Sequence, residues 1–146
     1  MAQISQQDID ALLKMIKKSL VDSVTFPEKG TKEEFEVASV TDESLFKVSI
    51  FRGSINSLKY NIGAHIAKNG IPLLELHVEP SNRHFNPDGK MIEGSHWHVY
   101  SEEYGTRLAF PAENIESEEF ENNTLLFLDK FNVIEKPKVY YQCELT

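Results

Sequence analysis

A single cysteine, Cys143, in 146 residues leaves the chain without an internal disulfide, so a reducing, cytoplasmic setting is expected. Nothing approaches the roughly 18 consecutive apolar residues of a membrane span, and no membrane association is expected. The opening MAQISQQDIDALL lacks the basic stretch and apolar stretch of a secretory signal. Glycine and proline are sparse, at seven and six, and no repeat, linker or low-complexity segment interrupts the chain. One domain over residues 1–146 is expected, long enough to bury most of its apolar surface. Positive charge is also short: 15 Lys and Arg face 23 Asp and Glu, for a net charge of −8. That balance opposes sequence-independent nucleic-acid binding, which runs on phosphate neutralisation. Phosphate-cradling glycine loops are missing too, since Gly89, Gly94 and Gly105 are isolated. Ser95-His96 has no nucleophile elbow around it, and Asp88 lacks the alternating oxygens of a calcium loop.

What the chain does have is histidine in one place. Four of its five histidines, His77, His84, His96 and His98, fall between Leu74 and Tyr100. His96 and His98 sit two apart in a β-rich run, so they share a face. Imidazole is the side chain that titrates near neutrality and the commonest metal ligand.

The apolar spacing predicts two helices and a mainly antiparallel sheet of about five to seven strands, an α+β fold with both helices on one face. Ser5 and Asp8 form a capping-box-like start, and Ile9, Leu12, Leu13, Ile16 and Leu20 recur at helical spacing. Lys17 and Lys18 then fall near the end of that helix, where they suit its dipole. A second helix is expected over residues 118–134, with Phe120, Thr124, Phe127, Leu128 and Phe131 on one stripe. Strands are expected around Phe35 and Val37, over Phe46–Ile50, Leu58–Ile66 and Ile71–Val78, over Ser95–Tyr100 and Thr106–Phe110, and over Val139–Leu145. Asn69-Gly70 signals a hairpin. In Asn86-Pro87-Asp88-Gly89, proline presets φ and glycine accepts a positive one, which makes a turn. Trp97, Tyr60 and Cys143 read as packing residues rather than stacking platforms or a nucleophile.

If the apolar strand faces pack toward the helices, the opposite face gathers His65, Glu75, His77, Glu79, His96, His98 and Tyr100. A register slip of one residue would scatter this set, and a histidine-rich solvent face is the plain alternative. Two chemistries fit. His96, His98 and His77, with His84, Glu75 or Asp88 available, could complete a tetrahedral site for a divalent metal such as zinc. Without metal, His96 and His98 could act as general base and acid on a phosphodiester, with His77 and His84 in support. Arg83, Lys90 or Arg107 would then stabilise the developing charge and Tyr100 orient a proton. The acidic clusters at Glu33–Glu36, Glu102–Glu103 and Glu116–Glu121 are ordinary solvated charge, or a surface offered to a basic protein partner.

The run from Arg83 to Gly105, RHFNPDGKMIEGSHWHVYSEEYG, resembles a family of small bacterial and phage-associated proteins of unknown function. That family carries H-x-N-P-D-G, a spacer, G-x-H-x-H-x-Y-x-E-x-Y and an A-[FY]-P segment, here His84–Gly89, Gly94–Tyr104 and Ala109–Pro111. The resemblance implies a mobile-element setting, where small toxins and inhibitors of host defence are common. Two functions are therefore expected as alternatives. One is a toxin-like enzyme that cleaves RNA phosphodiesters or acts on nucleotides. The other is an acidic inhibitor that docks on a host defence nuclease, with a structural metal at its histidines.

Overall fold

The computed structural model describes residues 4–56 and 58–141. The chain runs α1 (Gln6–Lys14), β1 (Lys17–Ser19), β2 (Ser23–Thr25), β3 (Lys32–Ser39), β4 (Leu45–Arg52), β5 (Tyr60–Ile66), β6 (Pro72–Val78), β7 (Arg83–Phe85), β8 (Met91–Glu93), β9 (His96–Val99), β10 (Ala109–Pro111), α2 (Phe120–Lys130), β11 (Val133–Glu135) and β12 (Lys138–Tyr140). The fold is α+β, as expected, but its main sheet has eight strands rather than five to seven, in the order β10-β9-β6-β5-β4-β3-β1-β11. The undercount has a physical reason. β1 and β11 are three residues each, too short to show alternation. Their pairing is parallel, whereas every other neighbour in this sheet is antiparallel.

Strand alternation builds the apolar face. Trp97, Leu76, Ile62 and Ile50 stand abreast across β9, β6, β5 and β4, and Val99, Leu74, Ala64, Val48 and Phe35 form the next row. α2 covers this face through Phe127, whose ring lies 6.1 Å from Trp97, and Phe131, 5.4 Å from Phe46. Leu12 and Leu13 of α1 pack against the same core. Tyr60 is buried and its hydroxyl donates to the Ser117 carbonyl, so it is a core residue as expected.

The first helix ends earlier than its spacing predicts. The Ser5 hydroxyl oxygen accepts from the Asp8 amide at 3.1 Å, but α1 stops at Lys14, leaving Ile16 and Leu20 exposed at 45% and 51%. Lys17 explains the break. In β1 it is fully buried, and its amine donates to the carbonyls of Leu13 at 3.3 Å, Met15 at 2.8 Å and Phe131 at 2.8 Å. One side chain thus satisfies carbonyls that the ends of both helices leave open. The second helix is likewise shorter than residues 118–134, because Asn132 adopts a φ of 65° and turns the chain into β11. β12 pairs in parallel with β2 in a separate two-stranded sheet. The remainder of the expected last strand, with Cys143, lies outside the described residues. No helix among the described residues is long and apolar enough to cross a membrane.

Candidate metal centre

The face of the main sheet opposite α2 carries two polar rows. In register across β9, β6, β5 and β4 stand His96, His77, Asn61 and Phe51, and beside them His98, Glu75, Gly63 and Ser49. His77, His96 and His98 therefore meet because antiparallel pairing sets neighbouring strands about 4.8 Å apart. The ring of His77 lies 5.1 Å from that of His96 and 4.6 Å from that of His98, and the latter two are 4.8 Å apart. One ring nitrogen from each of the three lies within 4.8 Å of the others.

His84 reaches the same place by a different route. Asn86-Pro87-Asp88-Gly89 turns the β7–β8 hairpin, with Gly89 at a φ of 87°. The Asn86 side chain accepts from the Ala109 amide at 2.7 Å and donates to the Ala109 carbonyl at 2.9 Å. This clamp holds the hairpin against β10 and sets the His84 ring 5.6 Å from His96 and 4.9 Å from His98. His96 and His98 end up 1% and 6% exposed.

Hydrogen bonding fixes the tautomers. His96 Nδ1 lies 2.9 Å from the Gly94 carbonyl oxygen and His98 Nδ1 lies 2.6 Å from that of Thr106. A carbonyl only accepts, so both rings carry their proton on Nδ1 and present a lone pair at Nε2. His84 donates from Nε2 to the Arg107 carbonyl at 2.8 Å, which leaves its Nδ1 as acceptor. His77 Nε2 faces Glu75 Oε1 at 3.4 Å. Burial draws the pKa of His98 down to about 4, helped by the neighbouring His77 and His96. Burial likewise lowers His96, against the opposing Gly94 carbonyl. The hydrogen bond from His77 holds Glu75 below the usual carboxylate range, so it is ionised at neutral pH. Imidazoles tethered at one nitrogen, with the second left for a ligand, are the form that metal ligands take. Three histidines here could bind a metal.

The other sequence candidates fall at the rim. Arg83 sits beside His84 in β7 with the opposite parity, exposed, and pairs with Glu93 at 3.9 Å. Arg107 lies over the Tyr104 ring at 5.9 Å, and its carbonyl, not its guanidinium, touches the cluster. Lys90 is exposed in the hairpin turn. Tyr100 follows the end of β9, its amide bonded to the Leu73 carbonyl. His65 shares the polar face but stands on β5, opposite Lys47 and away from the other four histidines. Sequence reasoning missed the carbonyls of Gly94, Thr106 and Arg107, which carry no residue-type signal. It also missed Asn61 and Gly63, which the parity of β5 places on this face.

The chain matches none of the curated proteins and none of the solved structures. A family model does match, over residues 4–133, which spans the helix α1, the strands β4, β5, β6 and β9 that carry the histidine rows, and α2. The chain therefore belongs to the family of unknown function DUF6978.

Proposed function

We propose that the chain is a small metal-dependent hydrolase of phosphate esters, with RNA phosphodiesters or nucleotides as the substrate class. A divalent ion, zinc in the first instance, is held by His77, His96 and His98. One observation carries this reading: three imidazoles each bring a ring nitrogen within 4.8 Å of the others, and two of them, His96 and His98, are buried with Nδ1 committed to a carbonyl. Three imidazoles suit zinc and leave a coordination position open, the arrangement of catalytic rather than closed structural sites.

The metal-free alternative fares less well. A histidine general acid must be the imidazolium near neutral pH, and His98, drawn down to about 4, is neutral imidazole there. When bound, the ion supplies Lewis acidity and offsets charge that builds on a phosphoryl oxygen. The chain's own residues do the rest. His77 and Glu75, with side chains 24% and 30% exposed, form the open side of the site. The ionised Glu75 carboxylate is placed to accept a proton from an attacking water. Arg83, Lys90 and Arg107 are exposed near the hairpin and available to an anionic substrate, with Arg83 also paired to Glu93. A toxin-like role in a bacterial or phage setting fits this activity.

The test is metal content and cleavage together. Wild-type protein is expected to bind one zinc per chain and to degrade RNA or a nucleotide ester. His96→Ala/His98→Ala, shown to be folded, is expected to lose both. Folded wild type that takes up no zinc overturns the reading.

A second reading has its own observation. Glu118, Glu119 and Glu121 rim a hollow of about 490 Å³ with Phe120, Leu125 and Tyr141, a shape suited to a basic side chain on a partner protein. Binding of that kind would weaken with salt and ignore the histidine substitutions.

A further inference from the structure

The three proposed ligands leave one histidine of the cluster without a task. His84 stands half-buried in β7, two residues before Asn86 of the hairpin turn. Its ring lies 4.9 Å from that of His98 and 5.6 Å from that of His96, whereas the ring of His77 lies 4.6 Å and 5.1 Å from the same two. His77 and His84 therefore approach the His96–His98 pair at nearly equal range. Imidazoles around a tetrahedral zinc, with metal–nitrogen bonds of about 2 Å, hold their ring centres about 5 Å apart. His84 is spaced from both neighbours as a fellow ligand would be.

Its tether agrees with the spacing. His96, His98 and His84 each donate one ring N–H to a backbone carbonyl, those of Gly94, Thr106 and Arg107 respectively. Thr106 and Arg107 are consecutive, so one stretch of backbone fixes both His98 from β9 and His84 from the hairpin. Outer bonds of this kind orient the imidazoles that ligate metals. Like the other two, His84 keeps its second nitrogen, Nδ1, as a lone pair.

We infer that His84 is a fourth, displaceable ligand, which the β7–β8 hairpin brings onto the ion and which an anionic substrate releases by taking its place. The inference rests on the metal-centre reading and deepens it, because it says what controls the open coordination position.

The hairpin suits that movement. Nitrogens of His77, His96 and His98 lie within 4.8 Å of one another, and His84 adds none to that set. Three rings are thus already in range, and the fourth must come inward to bind. The first three ride on β6 and β9 of the eight-stranded sheet, whereas His84 rides on a two-stranded sheet whose strands are three residues each. The cross-strand pair Phe85 and Met91 is 66% and 41% exposed, and the turn is held to β10 by the two Asn86 bonds to Ala109. Short elements with few buried apolar contacts open far more readily than the core. Arg83, paired with Glu93 at 3.9 Å, and Lys90 are exposed on the same hairpin. An entering phosphate therefore meets positive charge on the element that has to move.

The experiment compares full-length wild type with His84→Gln and His84→Ala. Glutamine keeps an N–H donor for the Arg107 carbonyl and offers no imidazole, and the position lies outside the core, so both variants are expected to fold. Zinc affinity, measured by competition with a chromogenic chelator, is expected to fall about 100-fold in both, the upper end of what loss of a ligand's hydrogen-bonding partner costs. With cobalt in place of zinc, the visible spectrum of wild type is expected to need about tenfold more inorganic phosphate to shift than that of His84→Gln, as for a position open a tenth of the time. Hydrogen exchange in β7 and β8 of wild type is expected to slow with zinc and to quicken again with phosphate.

Zinc affinity of His84→Gln equal to that of wild type overturns the inference and leaves the three-histidine centre standing. Hairpin exchange in wild type that ignores bound zinc does the same. Affinity lost in His84→Ala but restored in His84→Gln also overturns it, since the side chain would then act only through the Arg107 carbonyl. Wild type that takes up no zinc overturns the metal reading and this inference together.

Discussion

The two ends of the main sheet each bury polar nitrogen, and they do so to different effect. At the β1 end, Lys17 is fully buried, and three carbonyls accept from its amine while the Phe131 ring lies 4.0 Å beneath it. At the β9 end, His96 and His98 are almost as buried, yet each ring commits one nitrogen and leaves the other without a protein partner. Sealing a polar atom away unmatched is costly, and neither of these second nitrogens is among the sealed, unpartnered atoms of the described residues. The lysine is matched in full and holds two helix ends to the sheet. The histidines are bonded at one nitrogen each, and a ring nitrogen from each lies within 4.8 Å of the others in the cluster with His77. Degree of burial does not separate a structural polar group from a functional one; what remains unpaired does.

The comparison can be broken at three points. Lys17→Met keeps the volume and strands the three carbonyls, so it is expected to cost roughly 3 to 4 kcal/mol in urea unfolding. Zinc affinity should stay unchanged. A neutral effect would mean the lysine end is no staple.

The second point is pH. His98 titrates near 4 in the fold against an ordinary 6.5. Between these values the unfolded chain holds a proton that the folded chain refuses, so metal-free stability falls as pH drops through that window. The loss amounts to roughly 3 kcal/mol by pH 4. Lys17 works in another window: burial draws it from 10.5 to about 7, so its contribution raises stability as pH climbs between those values. His98→Asn, which can still donate to the Thr106 carbonyl, is expected to flatten the acid limb and leave the alkaline one. Unfolding curves at pH 4.5, 7 and 9 decide this.

The smallest effect is expected at the hairpin. Asn86→Ala removes both side-chain bonds to Ala109 and should cost about 1 to 2 kcal/mol. Hydrogen exchange should then rise in β7 and β8 while the Lys17 end stays protected. Uniform exchange across the molecule would show that the hairpin is not a separate cover on the histidines.

Much of this was legible in the chain. Alternation in Phe46–Ile50, Tyr60–Ile66 and Leu74–Val78 gave the central strands and their apolar face, and the two-residue spacing of His96 and His98 put both on the opposite one. Other parts were illegible for physical reasons. The Ile16 and Leu20 spacing extended a helix that the buried Lys17 ends, since a lysine in helical pattern reads as a solvated charge. His84 could be grouped with the others by proximity in sequence, but only the Asn86 clamp on Ala109 brings its ring to theirs. Phe51 and Asn61 come into the row of His77 and His96 through register, which no local pattern encodes.

The sequence by itself determined the α+β class, the two-faced central strands and the side of the sheet on which His77, His96 and His98 stand, because side-chain parity follows from the period of a strand. The tertiary structure alone decided which histidines meet, which nitrogen of each is free, and that a lysine rather than a helical turn joins α1 to the sheet. Those outcomes depend on strand register, on carbonyls that every residue carries alike, and on burial that draws imidazole and amine away from their ordinary ionisation.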